Sequence, residues 1–497
     1  MTTSAERAPQ PAAPDSQAGP VADPRAARRA ATRHGVGFRS ERGPILIALM
    51  VTTGLIAIDA MILATAIPTI VGDLGGFSSF PWLFSIYLLT QAVTVPIYSK
   101  VADTVGRKPV LLLGIGLFLL GSVLCAVAWS MPALIAARAV QGLGAGAVGP
   151  MAITIAGDIY TLAERAKAQG YLASVWAISA VVGPTLGGVF VEFASWPWIF
   201  WVNLPLGLLA AWLIVRHLHE TVERRRHAID WQGGLLLTVS ASLLILAMLE
   251  GGNAWAWDSA QSIAAFGIGG LLLAAFLWVE QRAAEPVLPL TIFRRRLLAT
   301  TALIAVGVGV VLFGLTSYVP TYLESQLGVS PLVSGLTHAT LTLGWPLAAA
   351  QSGRLYLRIG FRATVLIGGV FVVAGTTGMA ATSGTPSVVL VGLWCFVVGF
   401  GLGLVSSPSL IAAQTSVDWG ERGVVTGANL FARSMGAAVG VAVLGAVVNA
   451  GMRGQDAFSA PDLFGDAVTT TFWVVAGVAV VTALIGFGMP GGRPASA

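Results

Sequence analysis

The sequence predicts an all-α integral membrane protein with fourteen spans and both termini on the same side. Three observations carry this reading. Of the 497 residues, 56% are hydrophobic and only 10% are charged. Apolar stretches near the roughly 20 residues that a helix needs to cross a bilayer recur along the chain. Lys and Arg gather in alternate gaps between those stretches, as they do on the cytoplasmic side of membrane proteins.

Taken in order, with charged or Gly/Pro/Asn-rich interruptions as boundaries, the first seven spans are expected at 45–70, 80–98, 109–129, 133–157, 168–191, 197–216 and 234–251. The other seven are expected at 262–280, 297–323, 331–351, 364–382, 387–411, 424–449 and 469–489. Of the 28 Lys and Arg residues, seven fall in the first 42 residues. Most others cluster after even-numbered spans, at Lys100/Arg107/Lys108, Arg165/Lys167, Arg224–Arg226, Arg294–Arg296 and Arg354/Arg358/Arg362. The intervening loops GDLGGFSS, WSMP and GGNAWAWDSAQ carry none, which predicts cytoplasmic termini in a cytoplasmic membrane. Trp82, Trp129, Trp196, Trp198, Trp255 and Trp257 sit at the other span ends, where an interfacial aromatic belt is expected.

Residues 1–42, rich in Ala, Pro and Arg, are expected to be a disordered basic cytoplasmic tail, not a cleaved signal. Residues 43–216 and 297–490 are expected to form two six-helix bundles. Between them, 217–296 forms a linker with two additional spans, and 491–497 is a short cytoplasmic tail. Cys125 and Cys395 lie in apolar spans without disulfide or metal spacing. No nucleophile/base cluster, metal-ligand spacing or nucleotide-binding loop is present, so the chain is not expected to be an enzyme, to use a cofactor or to bind nucleic acid.

An internal repeat supports the two-bundle organisation. QGLGAGAVGP (141–150) matches VGFGLGLVSS (398–407), and ERAKAQG (164–170) matches ERGVVTG (421–427), both at an offset of 257. That offset also carries Ser179, Gly183 and Gly188 onto Gly436, Gly440 and Gly445. SKVADTVGRK (99–108) aligns with GRLYLRIGFR (353–362) at an offset of 254, keeping Gly106 as Gly360 and Lys108 as Arg362.

These residues resemble the major facilitator superfamily, and specifically its fourteen-span drug/proton antiporter branch. The loop signature G-x-L-A-D-x-x-G-R-K reads here as Ser99, Val101, Ala102, Asp103, Gly106, Arg107 and Lys108, with Ser in place of the first Gly. The fourth-span pattern reads Arg138, Gln141, Gly142, Gly144 and Ala145, and the antiporter pattern reads Ser179, Gly183, Pro184, Gly187 and Gly188. An acid nine residues before a proline gives Asp59 and Pro68 in the first span. SWPWIFWVNLPLG resembles a branch signature that normally has Arg between its tryptophans, where this chain has Pro197.

The resemblance implies two rocking bundles around a central cavity. It implies a conformational latch of Asp103, Gly106, Arg107, Lys108 and Asp158, in which Arg107 pairs with Asp103 and Asp158 when the inner side is closed. It also implies that Gly183, Pro184, Gly187 and Gly188 seal the inner end of the cavity, whereas the residues by themselves equally suit close helix packing with a local kink.

Ionisable groups inside a membrane are expensive and usually functional. Asp59 in the first span and Arg138 in the fourth are placed to face one another in the N-bundle, whereas the repeat puts Val311 and Cys395 at the matching positions. Burial favours a neutral carboxyl and a nearby cation favours the carboxylate, so changing their separation would switch protonation. Tyr87, Gln91, Gln141, Trp176 and Asn203 are candidates to line the cavity, with Met61 and Met151 as an adaptable apolar wall, core packing being the default for each. Arg433 either points into the cavity, favouring neutral or anionic cargo, or snorkels or bonds carbonyls. His338 is expected to make a satisfied polar contact.

The resulting expectation is a multidrug efflux antiporter, working as a monomer on the proton gradient, with small lipophilic substrates, protons and membrane lipids as partners and a role in antibiotic resistance. A dedicated exporter of an endogenous metabolite, peptide or lipid would use the same machinery.

Overall fold

The computed structural model describes residues 36–489 except 161, 221–229, 253, 284–285, 287–289, 291–293, 418–421, 453 and 456. Some helical side chains, Lys100 and Asp103 among them, also fall outside that description, as does most of the expected disordered tail.

Among the described residues, fourteen long helices follow one another. They are α1 (Gly43–Ile62), α2 (Pro81–Val105), α3 (Arg107–Ala126), α4 (Met131–Ile159), α5 (Leu162–Phe193), α6 (Asn203–His217) and α7 (Trp231–Glu250). Then come α8 (Ala260–Glu280), α9 (Arg296–Leu327), α10 (Pro331–Ile359), α11 (Phe361–Thr382), α12 (Val388–Thr415), α13 (Arg422–Met452) and α14 (Pro461–Gly486). Among the described residues, thirteen spans are long and apolar enough to cross a membrane. The exception, α10, has 29 residues, but His338 and threonines 337, 340 and 342 dilute its apolar character.

Every expected span therefore has its helix, though several run longer. Helix α2 continues to Val105, α5 starts at Leu162 and α10 ends at Ile359, each some six to eight residues beyond the apolar limit. Hydropathy marks the slab, whereas backbone hydrogen bonding carries the helix on into polar surroundings. The first span instead divides. A 3-10 turn at Leu63–Thr65 separates α1 from a short helix, Ile67–Leu74, with Pro68 in its first turn. Proline is accepted there because the first-turn N–H would have no intrahelical partner.

Packing repeats in register between the halves. Helix α4 lies against α2 and α3, and α1 against α5 and α6; in the second half α12 lies against α10 and α11, and α9 against α13 and α14. These are two six-helix bundles, with α7 and α8 paired beside them and α7 resting on α2 and α13. Glycine sets the close approaches. A Cβ at Gly183 would lie 2.7 Å from Met61 Cβ on α1, and one at Gly436 would lie 2.6 Å from Val306 Cα on α9.

The connection between α2 and α3 turns at Gly106 (φ 103°), and that between α10 and α11 at Gly360 (φ 89°). Both need a backbone conformation that favours glycine, which is why the repeat keeps them.

The bundles meet toward the face opposite the start of α1 and the end of α14, which mark the terminal face of the described residues. There Gly188 of α5 receives the start of α10, with a Cβ falling 2.5 Å from Leu332 Cα. Symmetrically, Gly445 of α13 receives Pro81 at the start of α2, with a Cβ falling 2.8 Å from its Cγ. Ser85 Oγ donates to Ala438 O at 3.1 Å, Asn449 Nδ2 donates to Ser78 O at 2.8 Å, and Phe77 stacks edge-on against Phe464. Glycine at the two repeated positions thus lets the helices seal the bundles together.

The tryptophans divide into two groups. Trp129 is 82% exposed, and Trp198 and Trp257 are also exposed, consistent with an interfacial belt. Trp82, half-buried, and Trp196, buried, are instead tied to carboxylates, donating to Glu250 Oε1 at 2.8 Å and Asp73 Oδ2 at 2.9 Å.

Candidate coupling site in the N-bundle

Asp59 lies on α1 one turn before the 3-10 break, and Arg138 lies on α4; each side chain is 1% exposed. Arg138 Nη1 donates to Asp59 Oδ2 at 2.8 Å and to Gln141 Oε1 at 2.6 Å, while its Nε donates to Leu83 O at 3.2 Å. The guanidinium sits over the Tyr87 ring, 4.0 Å from the centroid. The other carboxylate oxygen, Oδ1, accepts from Gln141 Nε2 at 2.8 Å and Asn203 Nδ2 at 2.9 Å. Ser122 Oγ in turn accepts from Gln141 Nε2 at 2.9 Å and from Asn203 Nδ2 at 3.2 Å.

Five helices thus supply one buried network. Arg138 and Gln141 reach the same carboxylate because residues three apart share a helix face. Three donors, one of them the Arg138 guanidinium, satisfy the Asp59 carboxyl group, which would otherwise be costly to bury. The expected Asp59 and Arg138 pairing is present. Ser122, the Leu83 carbonyl and the bridging role of Gln141 are not expected from the sequence, because lone polar residues in apolar spans carry no spacing signal. At the matching C-bundle positions, Val311 and Cys395 are buried and apolar.

Several expected cavity residues are placed otherwise. Tyr87, Gln141 and Asn203 are buried members of the Asp59 network rather than the wall of an open cavity. Met61 is buried against Gly183 at the α1–α5 contact, and Met151 is buried in the apolar core of the N-bundle. Bundle packing takes both thioethers. Gln91 is partly exposed, and Trp176 is 41% exposed.

Arg433 is partly exposed, and among the described residues it has no hydrogen bond, ion pair or ring contact. His338 is wholly buried on α10, and neither ring nitrogen has a partner among the described residues, so the expected satisfied contact is absent.

The antiporter segment lies at the other end from the one expected. Helix α5 begins on the face bearing the termini, so Gly183–Gly188 falls toward the opposite face. A Cβ at Gly335 of α10 would lie 2.7 Å from Pro184 O, and Gly187 passes directly over Thr65 and the break after α1. It is therefore part of the seal described above.

In the α2–α3 loop, Arg107 Nε pairs with Asp158 Oδ2 at 2.6 Å within the N-bundle. This pair coexists with the seal at the opposite face. The Asp103 side chain lies outside the described residues. Glu220, which the sequence does not single out, accepts from the backbone N–H groups of Arg107 at 2.8 Å and Lys108 at 2.9 Å. A carboxylate at a helix N-terminus satisfies free donors and complements the helix dipole. Lys108 Nζ answers in the reverse sense, donating to Val215 O at 3.0 Å and Leu218 O at 2.7 Å at the end of α6. In the second copy, Arg362 likewise reaches the end of α14, lying 5.6 Å from the Phe487 ring centroid.

Comparison with known proteins gives the same picture. The family model described as Major Facilitator Superfamily matches residues 49–441. The multidrug transporter protein MdtP of Bacillus subtilis (strain 168) is 34% identical over 414 residues, 83% of this chain and 76% of that protein. Multidrug resistance protein 3 of the same organism is 33% identical over 436 residues, 85% of each chain. The efflux pump FUS6 of Gibberella moniliformis is 32% identical over 429 residues, 82% of this chain and 74% of that protein.

Among solved structures, the nucleoside transporter NupG superposes with a TM-score of 0.63 at 13% identity, covering 90% of this chain and 98% of its own. A D-xylose-proton symporter gives a TM-score of 0.64 at 12% identity, covering 91% and 99%. With the repeated bundles and the family match over most of its length, this multi-pass membrane chain belongs to the major facilitator superfamily and is a transporter, not an enzyme.

Proposed function

We propose that the protein is a proton-coupled exporter of lipophilic small molecules, working by alternating access in a cytoplasmic membrane with both termini cytoplasmic. The observation that carries this reading is the buried Asp59–Arg138 pair, with its three donors to the carboxylate and its apolar counterpart at Val311 and Cys395. A carboxyl group on α1 held by contacts from α4 and α6 loses them when those helices shift, and then takes up a proton. Displacement of α1, α4 and α6 relative to one another, as 43–216 rocks against 297–490, supplies the shift, with 217–296 as the linker carrying the two additional helices. The multidrug and efflux names of the relatives support export and drug-like cargo. Basic clusters at the terminal face support the orientation, in which the Gly188 and Gly445 seal lies on the outer side.

Asp103, Gly106, Arg107, Lys108 and Asp158 bias the rocking from the inner side. The capping contacts of Glu220 and Lys108 give that region rigidity within the N-bundle. Energy comes from the proton gradient, and the monomer is the working unit.

Expression in cells lacking their own exporters tests the reading. Accumulation of lipophilic dyes and drugs falls on expression and recovers when a protonophore collapses the gradient. Equal accumulation with and without the protein across a broad panel would contradict export of such cargo. Export that survives the protonophore would contradict proton coupling.

A further inference from the structure

The offset of 257 that aligns the two copies carries Trp176 of α5 onto Arg433 of α13. Both side chains sit one helical turn from a matched pair of tightly packed positions, Ser179 and Gly436, on the terminal-face side of the seal. Ser179 is 2% exposed, and Gly436 is set against Val306. Beyond those positions the packing relaxes. Trp176 is 41% exposed and Arg433 is partly exposed, although each lies near the middle of a helix of 32 or 31 residues.

The contrast with Arg138 is direct. Arg138 has a carboxylate, an amide, a carbonyl and an aromatic face, whereas Arg433 has no hydrogen bond, ion pair or ring contact among the described residues. Its chain neighbour Ala432 packs with Ala302, Ala305 and Val306, and its own carbonyl is set against Gly309. One turn earlier, the Asn429 amide is already committed to Thr301 O at 3.1 Å. A guanidinium at membrane depth without an anion is expensive and marks a functional position. Asp59 cannot supply that anion, because its two oxygens are occupied in the other bundle.

We infer that Arg433 and Trp176 form a central binding site for an amphiphilic organic anion, with the guanidinium taking the anionic group and the indole taking the apolar or aromatic body. Arginine suits planar carboxylates and other oxyanions through paired N–H donors. The pseudo-twofold relation of α5 and α13 sets the two groups at equivalent depths on opposite bundles. One cargo molecule bridging them contacts both moving parts. This names the cargo class within the exporter reading above and rests on it. The cargo is an acidic lipophile, such as a hydrophobic carboxylic or sulfonic acid, and not a lipophilic cation.

Binding separates the inference from transport. The full chain in nanodiscs is titrated with two probes of similar size and opposite charge, 1-naphthylacetate and 2-(1-naphthyl)ethylammonium, with empty nanodiscs as the partition control. The anion is expected to bind at least tenfold more tightly than the cation. Arg433→Gln removes that preference by weakening the anion tenfold or more, Arg433→Lys retains most of it, and Trp176→Ala weakens both probes. Tighter binding of the cation, no charge preference, or no saturable binding of either probe overturns the inference. So does an Arg433→Gln variant that elutes as a single folded species and binds the anion unchanged. The wild-type charge preference needs no variant, so a misfolded Arg433→Gln leaves the question decidable. A protein that binds the anion yet lowers no cellular accumulation contradicts the exporter reading alone.

Discussion

Gln141 donates its side-chain amide to Asp59 Oδ1 at 2.8 Å while its own carbonyl oxygen accepts from Arg138 at 2.6 Å. It therefore binds both members of the buried ion pair and holds the carboxylate on the oxygen that Arg138 leaves open. Its neighbours Ser122 and Asn203 close the network, so the pair is part of a polar cluster inside an apolar bundle.

The cluster makes the two charges interdependent. Asp59→Asn leaves an uncompensated buried guanidinium and is expected to destabilise the protein by about 3–5 kcal/mol, the range for breaking a buried pair on one side. Arg138→Gln is expected to do the same from the other side. The double variant is expected to recover part of the loss, because no lone charge remains. Thermal unfolding of the three variants in one detergent checks this, and additive losses would remove the claim of a coupled pair.

Gly188 and Gly445 occupy matched positions where the start of the opposite bundle's α10 or α2 presses on them. Gly188→Val or Gly445→Val is expected to wedge the seal apart, because the new side chain would overlap Leu332 or Pro81. A cysteine placed at Ser78, whose carbonyl bonds Asn449 across the seal, then reacts at least several-fold faster with a membrane-impermeant maleimide. Unchanged labelling in both variants would show that the glycines serve packing alone.

Glu220 holds the start of α3, and Lys108 holds the end of α6. Glu220→Ala removes acceptors from two backbone donors and is expected to lower stability by about 1–3 kcal/mol. Lys108→Met is expected to act in the same direction more weakly, because its ammonium is partly exposed. Neither change touches the Asp59 network, so proton dependence of transport persists in both. Loss of proton dependence in Glu220→Ala would place this loop within the coupling machinery.

The fold is legible in the sequence because lipid imposes a long apolar run on every span, and duplication left glycines where helices touch. Gly183, Gly188, Gly436, Gly440 and Gly445 align by eye, and the structure gives each a close contact. Asp59 and Arg138 are legible for a related reason, since charge stands out against an apolar background. Glu220, Ser122, Leu83 O and the orphaned His338 are not legible. Their roles depend on which helices pack together, and a loop carboxylate or a lone hydroxyl has no period to mark it. The resemblance puts the seal at the opposite end from where the structure has it, because a motif gives a segment and not its depth. That depth follows from the direction of α5 and from the residues of α10 it meets. The tryptophans mislead similarly, since Trp82 and Trp196 lie at span ends yet are tied to Glu250 and Asp73.

The central claim is that Asp59 carries the proton that drives transport. The protein is reconstituted into vesicles containing a pH-sensitive dye, with a proton gradient imposed, and an exported compound from the cellular panel is added. The wild type is expected to dissipate the gradient in step with substrate movement. Asp59→Asn, confirmed as folded and substrate-binding, is expected to give no substrate-dependent proton flux. Proton flux at the wild-type rate in that variant would contradict the assignment and leave the Asp59–Arg138 pair a purely structural tie.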